Sequence, residues 1–397
     1  MNLFLLLAGA LTFTLLLGRL IEKIRVPWVF AALFLGLILS VWNPTGTIMT
    51  SETFNFLANL GMYFLLFMIG LELDVAQMFR QGKFIFGLST AFVVAESLLG
   101  TLFMHAFFDI TWGIAILASA SFATVGEAIL IPILDEFKIT KTQFGQTILG
   151  VGTLDDIFEL ATIIAASVIL GSSAGHSDIS IAKNVLVLGI LFITPLFLHF
   201  LESKKRQLNF KQIPPLFLFG LIALCAFVGV GDFVEAGALG AIFAGIALKN
   251  FLSAKSLAVF ESSVRTVAYG FFVPIFFLQV GSSVNLSYLL SAPILILAVL
   301  AITSLTKIGI SWLAARKTLG LRKTILLGIS LSAKFSTSIV ILSMLFNRGL
   351  IDSELYSVLI GAMIVSQFVI PVTFSVLLKK WNLKFYRAKK ITVKSAG

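Results

Sequence analysis

Long apolar runs recur along the whole chain, and they constrain its fold more than any other feature. Each run reaches or approaches the roughly 20 residues that an α-helix needs to cross the hydrocarbon core of a bilayer. Charged residues make up only 12% of the 397 residues, about half of the roughly 25% that is usual in soluble proteins. The sequence therefore predicts an all-α polytopic membrane protein, and it excludes a soluble globular domain.

Glycine, proline and charged residues divide these runs into about thirteen predicted transmembrane helices. We expect them near residues 3–18, 27–41, 54–71, 84–107, 112–134, 143–171, 183–201, 213–230, 236–248, 267–282, 287–314, 323–346 and 354–378. An odd number of crossings would place the two ends of the chain on opposite sides of the membrane.

The positions of the basic residues orient these helices. Nearly all of the 29 Lys and Arg residues lie in alternate connections and in the tail at 379–397, whereas the opposite connections hold only Lys183 and Arg348. Cytoplasmic loops are enriched in Lys and Arg, so we expect an outside N-terminus and a short basic cytoplasmic tail beside membrane lipid. This distribution accounts for the net charge of +10 without nucleic acid as a partner.

Several ionisable residues fall inside the predicted helices, where each costs about 2.5–3.5 kcal/mol on insertion scales and needs a partner, a cavity or a function. They are Glu96, Glu127, Asp155, Asp156, Glu159, Lys307 and Lys334. The adjacent pair Asp155–Asp156 is the most informative, because neighbouring helical positions point about 100° apart and cannot both lie in one packing interface. At least one of these carboxylates is expected to face a cavity.

Two hypotheses account for the paired aspartates. Neighbouring carboxylates and a nearby ammonium shift one another's proton affinity, so such a site can exchange H⁺ for a small hard cation, for which oxygen ligands are suited. Alternatively, Asp155 and Asp156 pair with Lys307 and Lys334 and only hold helices together. Lys307 itself is either a salt-bridge partner or a group that takes up and releases a proton.

Two segments carry small and hydroxylated residues in mid-span and are typical of interrupted helices. They are SFATVG at 121–126 and SAKFST at 332–337. The interval that superimposes the first segment on the second also superimposes Asp155–Asp156 on Ser366–Gln367. The segments fall in the fifth and twelfth predicted helices, which cross in opposite directions, so we predict inverted repeats with two crossing broken helices.

These features, together with four sequence stretches, resemble the cation:proton antiporters, in the branch of the sodium/proton exchangers and the membrane part of Kef-type potassium/proton systems. The stretches are LANLGMYFLLFMIGLELDV (57–75), ILDEFKITKTQFGQTILGVGTLDD (133–156), GALGAIFAGIAL (237–248) and FFVPIFFLQVGSSVNL (271–286). Each is a soft pattern by itself, but their order and spacing around the paired aspartates are specific.

The resemblance implies a homodimer in the bacterial inner membrane that works by elevator-like alternating access. Residues 84–171 and 287–378 would form a moving core domain, residues 3–71 and 213–282 a dimerisation scaffold, and residues 183–201 a linker helix. The resemblance also implies a secondary active transporter rather than an enzyme, with no resident cofactor.

The same resemblance assigns the transport residues. Asp155, Asp156 and Lys307 match the family pattern of electrogenic sodium/proton exchange, and Thr124 matches the threonine of the first broken helix. Na⁺ is the expected cation, with Li⁺ or K⁺ as further possibilities, and H⁺ is the counter-substrate. An electroneutral K⁺/H⁺ antiporter, a channel-like K⁺ efflux protein, and a sensor or solute carrier of related fold are the alternatives.

The chain departs from the family pattern in the second broken helix, where Lys334-Phe335-Ser336 stands in place of Arg-Gly-Glu. Lys334 must then find another anion, and we expect an architectural role for it with Glu96, Glu127 or Glu159 as partner. Glu127 is an extra acid in the first broken helix, and it is either that partner, an additional ion or proton ligand, or a cavity residue. Glu96, Glu159 and Ser336 are structural or coupling residues in this reading.

Overall fold

The computed structural model describes residues 2–23, 26–42, 48–73, 82–125, 134, 137–173, 186–187, 189–191, 193–194, 212–234, 236–334, 336–381 and 383. Within these ranges the regular secondary structure is helical. The predicted linker helix at 183–201 and the basic tail at 379–397 lie mostly outside the described residues.

The first eight helices are α1 Leu3–Glu22, α2 Phe30–Val41, α3 Glu52–Glu72, α4 Lys83–Phe108, α5 Trp112–Ala123, α6 Gln143–Ser173, α7 Ile213–Asp232 and α8 Gly237–Phe251. The remaining seven are α9 Ala254–Val267, α10 Val273–Ser282, α11 Leu286–Ser291, α12 Pro293–Leu319, α13 Leu321–Ser330, α14 Ser336–Asn347 and α15 Ser353–Trp381. A π-helical turn, Ala268–Phe272, joins α9 to α10.

Seven helical segments of the described chain are long and apolar enough to cross a membrane. They are α1, α3, α4, α7, the continuous segment Ala254–Ser282, residues Pro293–Lys317 of α12, and α15. Four apolar helices are shorter, namely Phe30–Val41, Trp112–Ala123, Gly237–Phe251 and Ser338–Asn347. The all-α membrane class is confirmed, and the count of thirteen crossings stays a prediction.

Helix boundaries differ from the sequence prediction where charge interrupts the hydropathy. The predicted helix at 267–282 begins earlier, at Ala254, because Ser253 Oγ caps it by accepting a hydrogen bond from Ser256 N at 3.3 Å. The charged residues of this added part lie on an amphipathic helix, and Arg265 forms an ion pair with Glu72. A helix can thus carry these charges at its surface, where a sequence reading expects a loop.

The predicted helix at 287–314 is divided into α11 and α12, with Pro293 in the first turn of α12. Proline suits this position because its missing N–H is not needed in the first turn. In the predicted helix at 112–134, α5 ends at Ala123, within the segment 121–126 where an interruption is predicted, and Thr124 takes an extended conformation.

The helices pack mainly in two groups. The first group contains α1, α2, α3, α7, α8, α9 and α10, and the second contains α4, α5, α6, α12, α13, α14 and α15. Glycine permits the closest approaches in the first group: a Cβ added at Gly36 of α2 would overlap Leu278 O of α10, and one added at Gly245 of α8 would overlap Phe67 O of α3. Such small-residue contacts are typical of helix packing in membranes.

Candidate functional site

Two helix ends meet inside the second group. Helix α5 ends at Ala123 with Thr124 as its cap, and the chain between α13 and α14 leaves the helical conformation after Ser330. Thr124 Oγ1 and Ser338 Oγ lie 3.5 Å apart across the two interruptions. Helix ends leave backbone carbonyls without their helical donors, so this region offers oxygen atoms in the middle of the protein.

Lys307 of α12 binds both helix ends. Its Nζ donates to Ala123 O at 2.9 Å and to Leu331 O at 2.7 Å, and its side chain is fully buried. Both carbonyls lie at the C-terminal ends of short helices, where the helix dipole places partial negative charge. The ammonium group therefore joins and neutralises the two interruptions at one point.

Glu96 of α4 lies between two lysines. Its Oε1 is 2.6 Å from Lys334 Nζ, and its Oε2 is 3.3 Å from Lys307 Nζ. The second contact is an ion pair without a well-aligned hydrogen bond, since Oε2 has no hydrogen-bond partner in the described chain. All three groups are buried, and a buried carboxylate is tolerable only with such compensation.

Lys334 makes further contacts at the first interruption. Its Nζ donates to Thr124 O at 3.3 Å and lies 5.0 Å from the centre of the Phe122 ring. Of the three acids considered as partners of Lys334, Glu96 is the one that forms an ion pair with it among the described residues. Glu127 lies outside the described residues, and Glu159 is a buried residue of α6.

Asp155 of α6 is fully buried beside this cluster. Its Oδ1 accepts a hydrogen bond of 2.5 Å from Ser89 Oγ of α4, and its Oδ2 has no hydrogen-bond partner among the described residues. Ser89 and Glu96 lie about two turns apart on one face of α4. The site therefore contains a carboxylate oxygen without a hydrogen-bond partner among the described residues, and Lys307 and Lys334 both act on this carboxylate electrostatically.

Lys307 and Lys334 both form ion pairs with Glu96, and among the described residues neither forms one with Asp155, so both hypotheses about the paired aspartates stay predictions. Asp156 follows in α6, and its side chain lies outside the described residues, as do those of Glu127 and Ser336. The structure thus brings Glu96, Thr124, Lys307 and Lys334 into direct contact.

Sequence reasoning missed two residues of this region. Ser89 holds Asp155, and Gln367 of α15 donates its side-chain amide to the main-chain oxygen of Lys334. Both are polar residues in otherwise apolar spans, which is a weak signal. The match of Gln367 to Asp156 in the repeat spacing is a stronger one.

Comparisons with known proteins place the chain among ion exchangers. The sequence matches the sodium/hydrogen exchanger transmembrane family over residues 9–380. A probable Na⁺/H⁺ antiporter of Methanocaldococcus jannaschii is 24% identical over 371 residues, which cover 91% of this chain and 93% of that protein. The glutathione-regulated potassium-efflux system protein KefC of Escherichia fergusonii is 28% identical over 298 residues, which cover 72% of this chain and 46% of that protein.

The fold is also similar to a solved structure. The sodium proton antiporter MjNhaP1 from Methanocaldococcus jannaschii at pH 8 matches with a TM-score of 0.66 and 15% sequence identity, over 94% of this chain and 100% of that chain. At this identity the likeness concerns the fold alone, and it agrees with the all-α membrane architecture.

Proposed function

Because this chain belongs to the sodium/hydrogen exchanger family, we propose that it is a secondary active antiporter that exchanges Na⁺ for H⁺ through Asp155 and Asp156. The uncommitted Oδ2 of the buried Asp155 is the observation that carries the proposal. A carboxylate in that position can be satisfied either by a proton or by a small cation, and only one of the two at a time. Competition of this kind is the basis of antiport.

Oxygen atoms around the interruptions complete the proposed cation site. Thr124 contributes as a ligand, as does Glu127 of the first interrupted segment. Hard monovalent cations prefer such oxygen ligands. Li⁺ and K⁺ are further candidate substrates, because discrimination among these ions depends on cavity size and on the number of oxygens.

Lys307 would make the exchange electrogenic. In the cation-loaded site both aspartates are ionised and Lys307 has released its proton. When protons replace the cation, one returns to a carboxylate and one to Lys307, whose ammonium then binds Glu96 and the two helix ends again. Two protons would thus move against one cation. The contacts of Lys307 with Ala123 O and Leu331 O support a role in sensing the state of the site.

Alternating access would come from movement between the two packing groups. We assign the first group to a dimerisation scaffold and the second to a moving core that carries Asp155, in a homodimer within the bacterial inner membrane. The N-terminus would lie outside and the basic tail in the cytoplasm. The crossing of the two interruptions at Thr124 and Ser338 supports the inverted-repeat arrangement.

Electroneutral K⁺/H⁺ antiport, or channel-like K⁺ efflux, is the second candidate. The likeness to the KefC potassium-efflux protein favours it. The lysine at position 334, which brings a second ammonium group to Glu96, also alters the charge balance on which the electrogenic scheme depends.

Reconstitution in liposomes with an internal pH dye tests both proposals. Addition of Na⁺, Li⁺ or K⁺ to the exchanger should change internal pH only for a transported ion, with and without a clamped membrane potential. No cation-dependent pH change would contradict antiport. Cation flux that never accumulates ions against their gradient would favour a channel.

A further inference from the structure

Gln367 lies fully buried in the middle of α15, against the interruption between α13 and α14. Its Nε2 donates a hydrogen bond to the main-chain oxygen of Lys334. This bond fixes the orientation of the amide, so that its oxygen, Oε1, is directed away from the Lys334 carbonyl. The sequence prediction did not include Gln367 in the transport site.

The Oε1 atom of Gln367 has no hydrogen-bond partner among the described residues. Buried side-chain oxygens are normally hydrogen-bonded, and an exception inside a membrane protein calls for a physical explanation. Asp155 Oδ2 and Glu96 Oε2 are in the same condition, and these two belong to the cluster around Lys307 and Lys334.

The main chain of Gln367 has a second oxygen without its helical donor. In an α-helix the carbonyl of one residue accepts from the N–H four positions later. For Gln367 that position is Pro371, which lies inside α15 and has no N–H. One fully buried residue therefore carries a side-chain oxygen without a hydrogen-bond partner among the described residues and a main-chain oxygen that lacks the usual N–H donor four positions later.

We propose that Gln367 is a ligand of the transported cation, through its side-chain Oε1 and its main-chain carbonyl. This inference rests on the antiport function proposed above and adds a specificity residue to it. Amide and carbonyl oxygens bind hard cations but do not take up protons near neutral pH. They therefore strengthen cation binding without strengthening proton binding, whereas Asp155 and Asp156 bind both.

The spacing of the sequence repeat agrees with this assignment. The interval that superimposes the two interrupted segments also superimposes Asp155–Asp156 on Ser366–Gln367. Gln367 of α15 thus stands at the position of the second repeat that Asp156 of α6 holds in the first.

Two variants test the proposal in the full-length exchanger. Gln367→Met keeps the length of the side chain and removes its polar atoms, and it should raise the KM for the transported cation about tenfold, the size of one lost polar contact. The maximal rate and the apparent proton affinity should change less than about twofold. Stabilisation of the detergent-solubilised protein by that cation should weaken in parallel.

Pro371→Ala distinguishes a ligand from a structural residue. It supplies an N–H for the carbonyl of Gln367, so it should raise thermal stability and yet raise the cation KM. A merely structural role predicts no loss of cation affinity in a more stable protein. Ser366→Ala is the matched control, because the hydrogen bond that Ser366 Oγ makes among the described residues goes to Met363 O of its own helix, at 2.7 Å, and the cation KM of this variant should not change.

The cation KM and the stabilisation by cation decide whether Gln367 is a ligand. If both variants keep the wild-type cation KM and the wild-type stabilisation by cation, Gln367 is not a ligand. If Gln367→Met does not fold, Pro371→Ala carries the test alone. If the wild-type protein shows no cation-dependent pH change, the antiport proposal itself fails, which is a different result from a failure confined to Gln367.

Discussion

At the scale of single residues, the two buried carboxylates of the site differ in what holds them. Glu96 is in contact with two ammonium groups, whereas Asp155 is held by one hydroxyl and leaves an oxygen uncommitted in the described chain. Glu96 therefore joins helices, and the second oxygen of Asp155 is the atom that the proposed exchange would use. The division of roles follows from partners and not from residue type.

Replacement of the aspartates tests this division. Asp156→Asn should abolish exchange in a folded protein, and Asp155→Asn should be nearly as severe, since the amide keeps the shape but cannot trade a cation for a proton. We expect at least a tenfold loss, which corresponds to about 1.4 kcal/mol, measured with an internal pH dye in proteoliposomes. Size-exclusion chromatography controls for folding. Proton flux at the wild-type rate in the Asp156→Asn variant would contradict the assignment of Asp156 to the transport site.

The contact between Lys334 and Glu96 gives a second prediction. Lys334→Met and Glu96→Gln should each lower thermal stability in detergent, by up to the 3–5 kcal/mol that is typical of breaking a buried ion pair. The double variant should lose less than the sum of the two, because each single change leaves a buried charge. A double-mutant cycle measures this coupling.

The comparison cycle uses Glu159→Gln in α6. It should couple with Lys334→Met less strongly than Glu96→Gln does. Equal coupling for both acids, or none for Glu96, would show that Lys334 is not held by Glu96 in the membrane.

At the scale of helices, small residues decide how closely elements approach. Gly245 of α8 and Gly70 of α3 lie against each other's backbone, as do Gly36 of α2 and Gly281 of α10. A side chain at any of these positions would separate two helices along their length. Close backbone contacts of this kind suit the scaffold role proposed for the first packing group.

Gly245→Ala should therefore destabilise the protein although alanine is the better helix former. The added Cβ would overlap Phe67 O, and overpacking of this kind costs about 1–3 kcal/mol. Gly87→Ala in α4 is the matched control, because no atom lies within 4 Å of its added Cβ, and it should be neutral or stabilising. Thermal unfolding in detergent measures both. Equal melting temperatures for the Gly245→Ala variant and the wild-type protein would refute the close packing of α3 and α8.

At the scale of the whole molecule, the charge moved in each cycle is the property to be measured. The proposed exchange of two protons for one cation through Asp155, Asp156 and Lys307 would move net charge, so the rate should respond to membrane potential. The test is the initial rate at symmetric pH under a potassium–valinomycin potential, once K⁺ is shown not to be transported. A rate indifferent to voltage would make the electroneutral alternative the better account.

The sequence by itself determined the membrane class, the family and most intramembrane charges. These features are local: a run of apolar residues predicts a span, and a charge within it is visible without knowing its neighbours. The interruption around 332–337 was also predictable, because small and hydroxylated residues in mid-span form a local pattern. The predicted helix boundary was wrong at 267, because the amphipathic helix Ala254–Val267 carries charge at its surface.

Only the tertiary structure decided which charges meet. Glu96 and Lys334 are 238 positions apart, and the positions of Glu96, Glu127 and Glu159 in the chain do not decide which acid pairs with the lysine. Likewise, Lys307 finds Ala123 O across 184 positions and Leu331 O across 24. Which charged residues pair depends on which helix faces pack together. The pattern of apolar residues that drives this packing does not indicate which faces meet. The ion pair of Glu96 with Lys307 and the hydrogen bond of Asp155 with Ser89 arise from the packing of α4 against α12 and against α6.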